Sequence, residues 1–499
     1  MKTSELFVVV KNAVSNVLRG GSAAMVALVL PPFLTRTLSV EQYGAWALIL
    51  QFSAYASYLD FGIQLAVSRF VAHFNEIGDV EERNTTVNTA LAMMSISALL
   101  AAIGLVALAA LMPRFFTQMP ASLYGTTRIA LLLVGGSLAL GLPAGVFNAV
   151  FIGMQRNGIP AVIVAGSRLL GAVVIIVLVQ FRPNLAYMGA ALATVNVVSY
   201  VVQFAVLRQV AFDGQISLRL VTAKAFHSLV KYCSSVSVFY FSMVLVSGLD
   251  LVLVGKFDFR SVAPYAIAAA VITFLAGLQN AIFTAILPNS AVLHARGQRE
   301  QLGSMLTTAT RYGVCLLLVT GLPVFLCARV ALNLWAGTEY GVVAAPILQM
   351  LIAGNIIRLA GTPYTVLLLG TGQQHLATAS PVMEGVSNLT VSLIAGYYWG
   401  AIGVAFGTLV GAVTGLLAHV FYNLPRTSAI QYQPRALLRG ALLTPLFCSL
   451  PLFVCGIVFV FVRPSAFDQL LIVAAATAVT VMSMVHWGNL IRDLKAARA

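Results

Sequence analysis

Apolar runs of about 20 residues, the length a bilayer crossing demands, follow one another along almost the whole chain, with short polar turns between them. They predict fourteen membrane-crossing helices, at 14–35, 43–72, 87–112, 128–153, 160–180, 187–208, 228–255, 263–293, 305–330, 344–370, 379–398, 400–423, 440–462 and 468–488. None of the connections is long enough to house a folded domain. The longest on the predicted inner side, AFDGQISLRLVTAKAFHS from Ala211, is polar, basic and mildly amphipathic, and reads as a linker lying on the membrane surface.

The first two runs form a hairpin around the turn SVEQYG (Ser39 to Gly44). Its arms carry Arg19 and Asp60 about equally far from the turn, so antiparallel arms place both at one depth. A charge at mid-membrane costs roughly 2.5–3.5 kcal/mol on insertion scales. Such a pair is either a structural ion pair or part of a transport cavity, and the sequence leaves both readings open. Arg69, near the inner end of the second arm, fits snorkelling to headgroups or a place at the cavity mouth.

The two halves of the chain repeat at an offset of about 220 residues, as inverted or parallel transporter repeats do. Tyr43 answers to Tyr265, HFNEIGD (from His73) to HARGQRE (from His294), and GAALAT (from Gly189) to GVAFGT (from Gly403). GLPAGVFNAVFIGMQRNG matches GTPYTVLLLGTGQQHL with Pro143 on Pro363, Gly153 on Gly372 and Gln155 on Gln374. Each half holds an even number of helices, six, so the repeat is parallel, about an axis along the membrane normal. The expected fold is therefore an all-α polytopic membrane protein. It has a six-helix lobe at 1–210, a cytoplasmic linker at 211–227, a second six-helix lobe at 228–424, and an additional helix pair with a tail at 425–499.

Composition agrees: 60% of the 499 residues are hydrophobic and 9% charged, too few charges to cover a soluble domain of this size. Of the 29 Lys and Arg, most fall in turns and flanks on one predicted side, which places both termini in the cytoplasm by the positive-inside rule. The basic residues form no groove with interleaved aromatics, so nucleic acid is not an expected partner. The five cysteines sit inside apolar runs without a CxxC, which argues against a disulfide framework or a metal site. No P-loop, HExxH or triad-like arrangement occurs, so neither an enzyme nor a resident cofactor is expected. NLT at Asn388 matches a glycosylation pattern but falls inside a span and is set aside.

Intramembrane polar residues are the candidate site: Arg19, Asp60, Arg69, Arg168, Gln279, Asn280, Arg358 and Glu384. Glu384 is a candidate partner for Arg358 on the neighbouring span. Asp250, with Lys256 and Arg260 close by, reads as an outer-rim pair. The excess of arginine favours an anionic, phosphate-bearing or acidic-sugar cargo, because the guanidinium fork binds phosphate bidentately.

Arg36, Leu38, Tyr43, Gly44, Asp60 and Gly62 within PPFLTRTLSVEQYGAWALILQFSAYASYLDFGIQ resemble the opening pattern of the multidrug/oligosaccharidyl-lipid/polysaccharide exporter superfamily. The chain is identified as similar to its polysaccharide transporter branch, which includes O-antigen flippases. The resemblance implies two lobes around a cavity lined by helices one, two, seven and eight. It also implies alternating-access transfer of an undecaprenyl-pyrophosphate-linked oligosaccharide across the bacterial inner membrane. Lipid-linked oligosaccharide and membrane lipids are then the partners, with a polysaccharide polymerase and glycosyltransferases as further ones. Lipid II flippases of the superfamily use arginines in helices one, two and eight. Arg19 answers to the first and Arg69 loosely to the second, whereas helix eight has none before Arg296. A cation-coupled multidrug exporter is the alternative, although the acidic first-helix site of one such branch has no counterpart here beyond Glu5.

Overall fold

The computed structural model describes residues 21–487 apart from 211–214, 244, 246, 247, 284, 285 and 463. Every regular element among the described residues is helical. Two compact units divide the chain, one within Met1–Val244 and Leu251–Ala266, the other within Leu245–Asp250 and Ile267–Ala499.

The first unit opens with α1, residues 21–37. The turn read as SVEQYG is the start of α2 (Val40–Tyr58): Ser39 Oγ accepts the Gln42 N–H at 3.2 Å, and Gln42 Oε1 accepts the Ser39 N–H at 3.0 Å. These reciprocal bonds satisfy two of the donors that a helix start leaves open. The second predicted span does not run through as one helix. α2 ends at Tyr58 and α3 (Ile63–Glu76) starts afresh after Phe61 and Gly62, whose φ values are 48° and 83°.

α4 (Val80–Phe115), α5 (Ala121–Gly153), α6 (Gly158–Phe181) and α7 (Leu185–Val210) follow. α5 packs against α2, α3, α4 and α7. It does so because its glycines leave room for neighbours: Leu105 lies over Gly135, Tyr200 over Gly141, and Val71 over Gly153. Small residues let membrane helices approach closely where water supplies no hydrophobic drive. The stretch from Gln215 to Thr222, within the expected linker, is bonded to α4 close to that helix's first turns. Asn88 Nδ2 donates to the Gln215 carbonyl at 2.9 Å and its Oδ1 accepts the Ser217 N–H at 2.8 Å, while Thr89 Oγ1 accepts the Thr222 N–H at 3.3 Å. α8 (Ala223–Met243) follows, with Lys224 Nζ 2.5 Å from Glu82 Oε1. The first unit also takes in most of α9 (Asp250–Phe257) and the start of α10 (Val262–Phe283).

The second unit holds the rest of α10, then α11 (Leu287–Ala295), α12 (Arg299–Leu326), α13 (Ala328–Ala336), α14 (Thr338–Ala360), α15 (Thr362–Gly370) and α16 (Ala379–Ala418). It ends with the bent pair α17 (Pro434–Cys448) and α18 (Leu450–Val462), then α19 (Ala466–Trp487). Nine described helices are long and apolar enough to cross a membrane, ten when the bent pair counts as one span. Fourteen spans were read from the sequence. The ninefold set counts α16 once although it contains the eleventh and twelfth predicted spans, folded together at Gly400 (φ 59°). The first and seventh spans run into residues outside those described, and the second is the broken α2–α3.

The repeat is visible in how helices end. After α3, the Asp79 N–H reaches back to the Phe74 carbonyl (2.9 Å) around Gly78; after α11, the Gln298 N–H reaches the Leu293 carbonyl (3.0 Å) around Gly297. After α5, Arg156 closes on Phe151 (2.8 Å) around Gln155, and after α15, Gln373 closes on Leu368 (2.8 Å) around Gly372. These are left-handed helix ends of one type at matching places. They also correct the sequence register by two residues: Gly372 answers to Gln155, not to Gly153. The left-handed residue is the fixed point of such a turn, and Gln155 occupies it with φ 58°.

α16 is held by a glycine stripe. A Cβ added to Gly403 would meet the Ala395 carbonyl at 2.0 Å, one on Gly407 the Ser392 nitrogen at 2.6 Å, and one on Gly411 the Asn388 Cβ at 2.8 Å. The two arms therefore touch backbone to side chain along their length. Gly407→Ala is expected to lower the thermal midpoint of the detergent-purified protein by an overpacking cost of about 1–3 kcal/mol. Gly166→Ala, whose added Cβ meets nothing within 4 Å, is expected to leave the midpoint unchanged or slightly higher. Equal effects of the two substitutions would show that the seam does not carry this strain.

Candidate functional site

The first arm of α16 presents Ser380, Glu384, Asn388 and Ser392 at intervals of four, one face of a helix, and all four are buried. Each faces the glycine stripe. Their polar atoms cannot reach water, so they find partners in the protein.

Five oxygen-bearing groups converge where α16 meets the start of α9. Ser392 Oγ donates to Asn388 Oδ1 at 2.9 Å and lies 3.2 Å from the Val404 carbonyl. Thr408 Oγ1 lies 3.3 Å from the same carbonyl and 3.1 Å from Asp250 Oδ2. Asn388 Nδ2 closes the ring on Asp250 Oδ1 at 3.5 Å. Asp250, read from the sequence as an outer-rim residue, is 7% exposed and belongs to this ring. One carboxylate, one amide, two hydroxyls and one carbonyl are hard oxygen donors with a single negative charge, which suits a small monovalent cation.

One turn before Asn388, Glu384 forms an ion pair with Arg358 of α14, the partner anticipated for it. The side chains are 9% and 24% exposed respectively. Gly415 makes room, since a Cβ there would stand 2.7 Å from Glu384 Oε2. Arg358 Nη2 is buried with no hydrogen-bond acceptor, so the guanidinium keeps a donor unspent. One turn earlier on α14, Asn355 Nδ2 donates to Gln279 Oε1 at 3.0 Å, and Gln279 Nε2 donates to Thr320 Oγ1 at 2.8 Å. This triad ties α10, α12 and α14 together.

The other anticipated residues are dispersed. Asn280, next to the fully buried Gln279, points the opposite way and is exposed. Asp60 sits at the α2–α3 break, where its Oδ1 accepts the Gln64 N–H at 3.2 Å. A carboxylate at the first turn of α3 is stabilised by that helix's positive end, so the charge has a local role. Arg69 is exposed, with its guanidinium 5.1 Å from the centre of the Tyr232 ring, a cation–π distance. Arg168 is exposed on α6. Arg19 lies outside the described residues. Sequence reading missed Asn388, Ser392, Thr408, Asn355 and Thr320. The signal for the first two was the four-residue spacing of polar groups on the eleventh span.

Breaking a buried ion pair from one side leaves a charge without compensation. Arg358→Met and Glu384→Gln are each expected to lower the thermal midpoint, and the double variant to lose less than the sum. A cycle in unfolding midpoints measures this, and strict additivity would mean that the two charges do not interact.

The chain's relationships accord with this architecture. Residues 9–294 match the family model described as "Polysaccharide biosynthesis protein". No curated protein sequence matches the chain. Among solved structures it is similar to "Lipid II flippase MurJ, inward closed conformation", at 14% identity and TM-score 0.74, over 96% of this chain and 99% of that one. It is also similar to an inward-facing multidrug resistance MATE family transporter of the MOP superfamily, at 17% identity and TM-score 0.62, over 81% and 99%. A MOP superfamily transporter from Pyrococcus furiosus matches at 15% identity and TM-score 0.58, over 85% and 96%. At these identities the likeness is one of fold. It is the family match, covering more than half of the chain, that makes this a multi-pass membrane protein of the polysaccharide biosynthesis protein family.

Proposed function

We propose that the protein is a flippase. It carries an undecaprenyl-pyrophosphate-linked oligosaccharide repeat unit across the bacterial cytoplasmic membrane by alternating access, for O-antigen, capsule or exopolysaccharide synthesis. Both termini face the cytoplasm in this reading. A polymerase and glycosyltransferases work on either side of the same step, and the protein itself makes or breaks no covalent bond.

The observation that carries the reading is the combination, inside one helical unit, of a buried ring of oxygen groups around Asp250 with a membrane-embedded arginine that keeps a donor in reserve. The ring takes a small cation as transported co-substrate. Asp250 supplies the charge, and Asn388, Ser392, Thr408 and the Val404 carbonyl replace its hydration shell. Transporters of this general build place coupling ions where side-chain and backbone oxygens meet inside the membrane. Arg358 supplies a bidentate phosphate contact, with Glu384 as the counter-ion that holds it between turnovers. Arg19, Arg69, Arg168, Asp60, Gln279 and Asn280 complete the set of candidate cargo contacts. Membership of the polysaccharide biosynthesis family supports a glycan cargo.

A clean deletion is expected to abolish the surface glycan and leave undecaprenyl-linked repeat units in the inner leaflet. Complementation with Asp250→Asn is expected to restore well under a tenth of the glycan at wild-type protein levels. A deletion strain that keeps its glycan, with no second copy of the gene, would sink the reading. The fold likeness to multidrug transporters keeps one alternative in view: altered drug susceptibility with unaltered glycan would favour a cation-coupled exporter.

A further inference from the structure

Two basic stretches more than a hundred residues apart in sequence lie against each other in the second unit. The first is the α11–α12 turn with the opening of α12, bearing Arg296, Arg299 and Arg311. The second is the segment from Leu424 to Gly440, bearing Arg426, Arg435 and Arg439. The Gln431 N–H donates to the Arg299 carbonyl at 3.1 Å, and the Gln431 carbonyl occupies the space where a side chain on Gly303 would stand, 1.7 Å from an added Cβ. Three turns further along α12, Arg311 Nε donates to the Gly440 carbonyl at 3.0 Å. The segment is thus laid along α12, anchored at both ends of the contact. Only a glycine at 303 permits the approach.

The result is a concentration of like charge that neither stretch has alone. Arg296, Arg299, Arg426, Arg435 and Arg439 are exposed, and Arg311 is half-buried. Glu300 is the single acidic residue in both stretches together. Such an array repels itself unless an anion joins it. Its surroundings define the depth at which that anion must lie. Leu438 sits among the arginines and is exposed, and Leu443, Leu446 and Phe447 continue an exposed apolar face along α17. Charge therefore gives way to apolar surface within two turns of one helix, which is the boundary between headgroups and hydrocarbon.

We propose that this arginine patch binds the headgroup phosphate of an anionic phospholipid, with the acyl chains against Leu438 and Phe447. Arginine suits the task because its fork takes phosphate oxygens in pairs and is weakly hydrated. Soluble phosphate lacks a partner for the apolar face, and nucleic acid would leave that face in water. The lipid phosphate is the anion that the membrane itself supplies at this depth. Bound there, it neutralises the repulsion between the two stretches and holds α17 on α12.

The test is lipid retention by the purified full chain, read by native mass spectrometry after exchange into phosphatidylcholine or phosphatidylglycerol micelles. The wild type is expected to retain phosphatidylglycerol at least about fivefold over phosphatidylcholine, a preference that fades with salt. R435Q/R439Q is expected to lose that preference at least fivefold. R114Q/R182Q, which removes two exposed arginines elsewhere in the chain, is expected to keep it. Should the double variant fail to purify, R299Q with R299K as its charge-retaining control gives the same reading, loss in the first and retention in the second. No preference in the wild type, or equal losses in the R435Q/R439Q and R114Q/R182Q variants, would overturn the proposal. Displacement of the lipid by equimolar inorganic phosphate would overturn the lipid as ligand. None of these readings depends on what the protein transports.

Discussion

Inside hydrocarbon a polar group has no water to fall back on, so each one must be matched by another group of the protein. The seam of α16 is organised by that constraint. Four glycines of its second arm give up their side chains so that Ser392, Asn388 and Glu384 of the first arm can reach across. Close approach brings hydroxyl, amide and carbonyl oxygens within hydrogen-bond distance of Asp250, and it leaves Glu384 a slot beside Gly415 from which to meet Arg358. A side chain on any of these glycines would separate the arms and strand polar atoms in a place where stranding is costly.

The same economy of side chains shapes the first unit with a different outcome. Its α5 uses glycines to seat Leu105, Tyr200 and Val71, and the core that forms around it is dominated by alanine, valine and leucine. The two units share their helix ends down to the left-handed residue after α3 and α11, and after α5 and α15. What differs is the chemistry carried between those ends. The second unit concentrates its buried carboxylates and amides around α16, and the first uses Asp60 and Asn88 to fix chain breaks and connections. A repeated fold thus carries an unrepeated site.

Much of the architecture was legible in the amino-acid order. Long apolar runs with most charges between them leave helices across a membrane as the available structure, and paired motifs at a near-constant offset revealed the repeat. The Arg358–Glu384 pair was also readable, because two opposite charges in adjacent spans of hydrocarbon have few other partners. The break between α2 and α3 was harder to see: an apolar run looks the same whether or not Phe61 and Gly62 turn the backbone left-handed inside it. The repeat register slipped by two residues for a related reason. Gln155 takes a conformation that glycine usually signals, so aligning glycine on glycine misplaced the turn.

Amino-acid order alone establishes that this chain lives in a membrane, how its helices succeed one another, and which arginines and acids are too costly to be incidental. Periodicity shows which residues share one face of a helix. It says nothing of what stands opposite, since that depends on how far two helices approach and where a kink turns them. Folding brings Asp250 to Asn388 and Thr408, turns Gln279 and Asn280 apart, and joins two distant basic stretches across Gly303. Each of those outcomes turns on a separation of a few ångströms between segments that are remote along the chain.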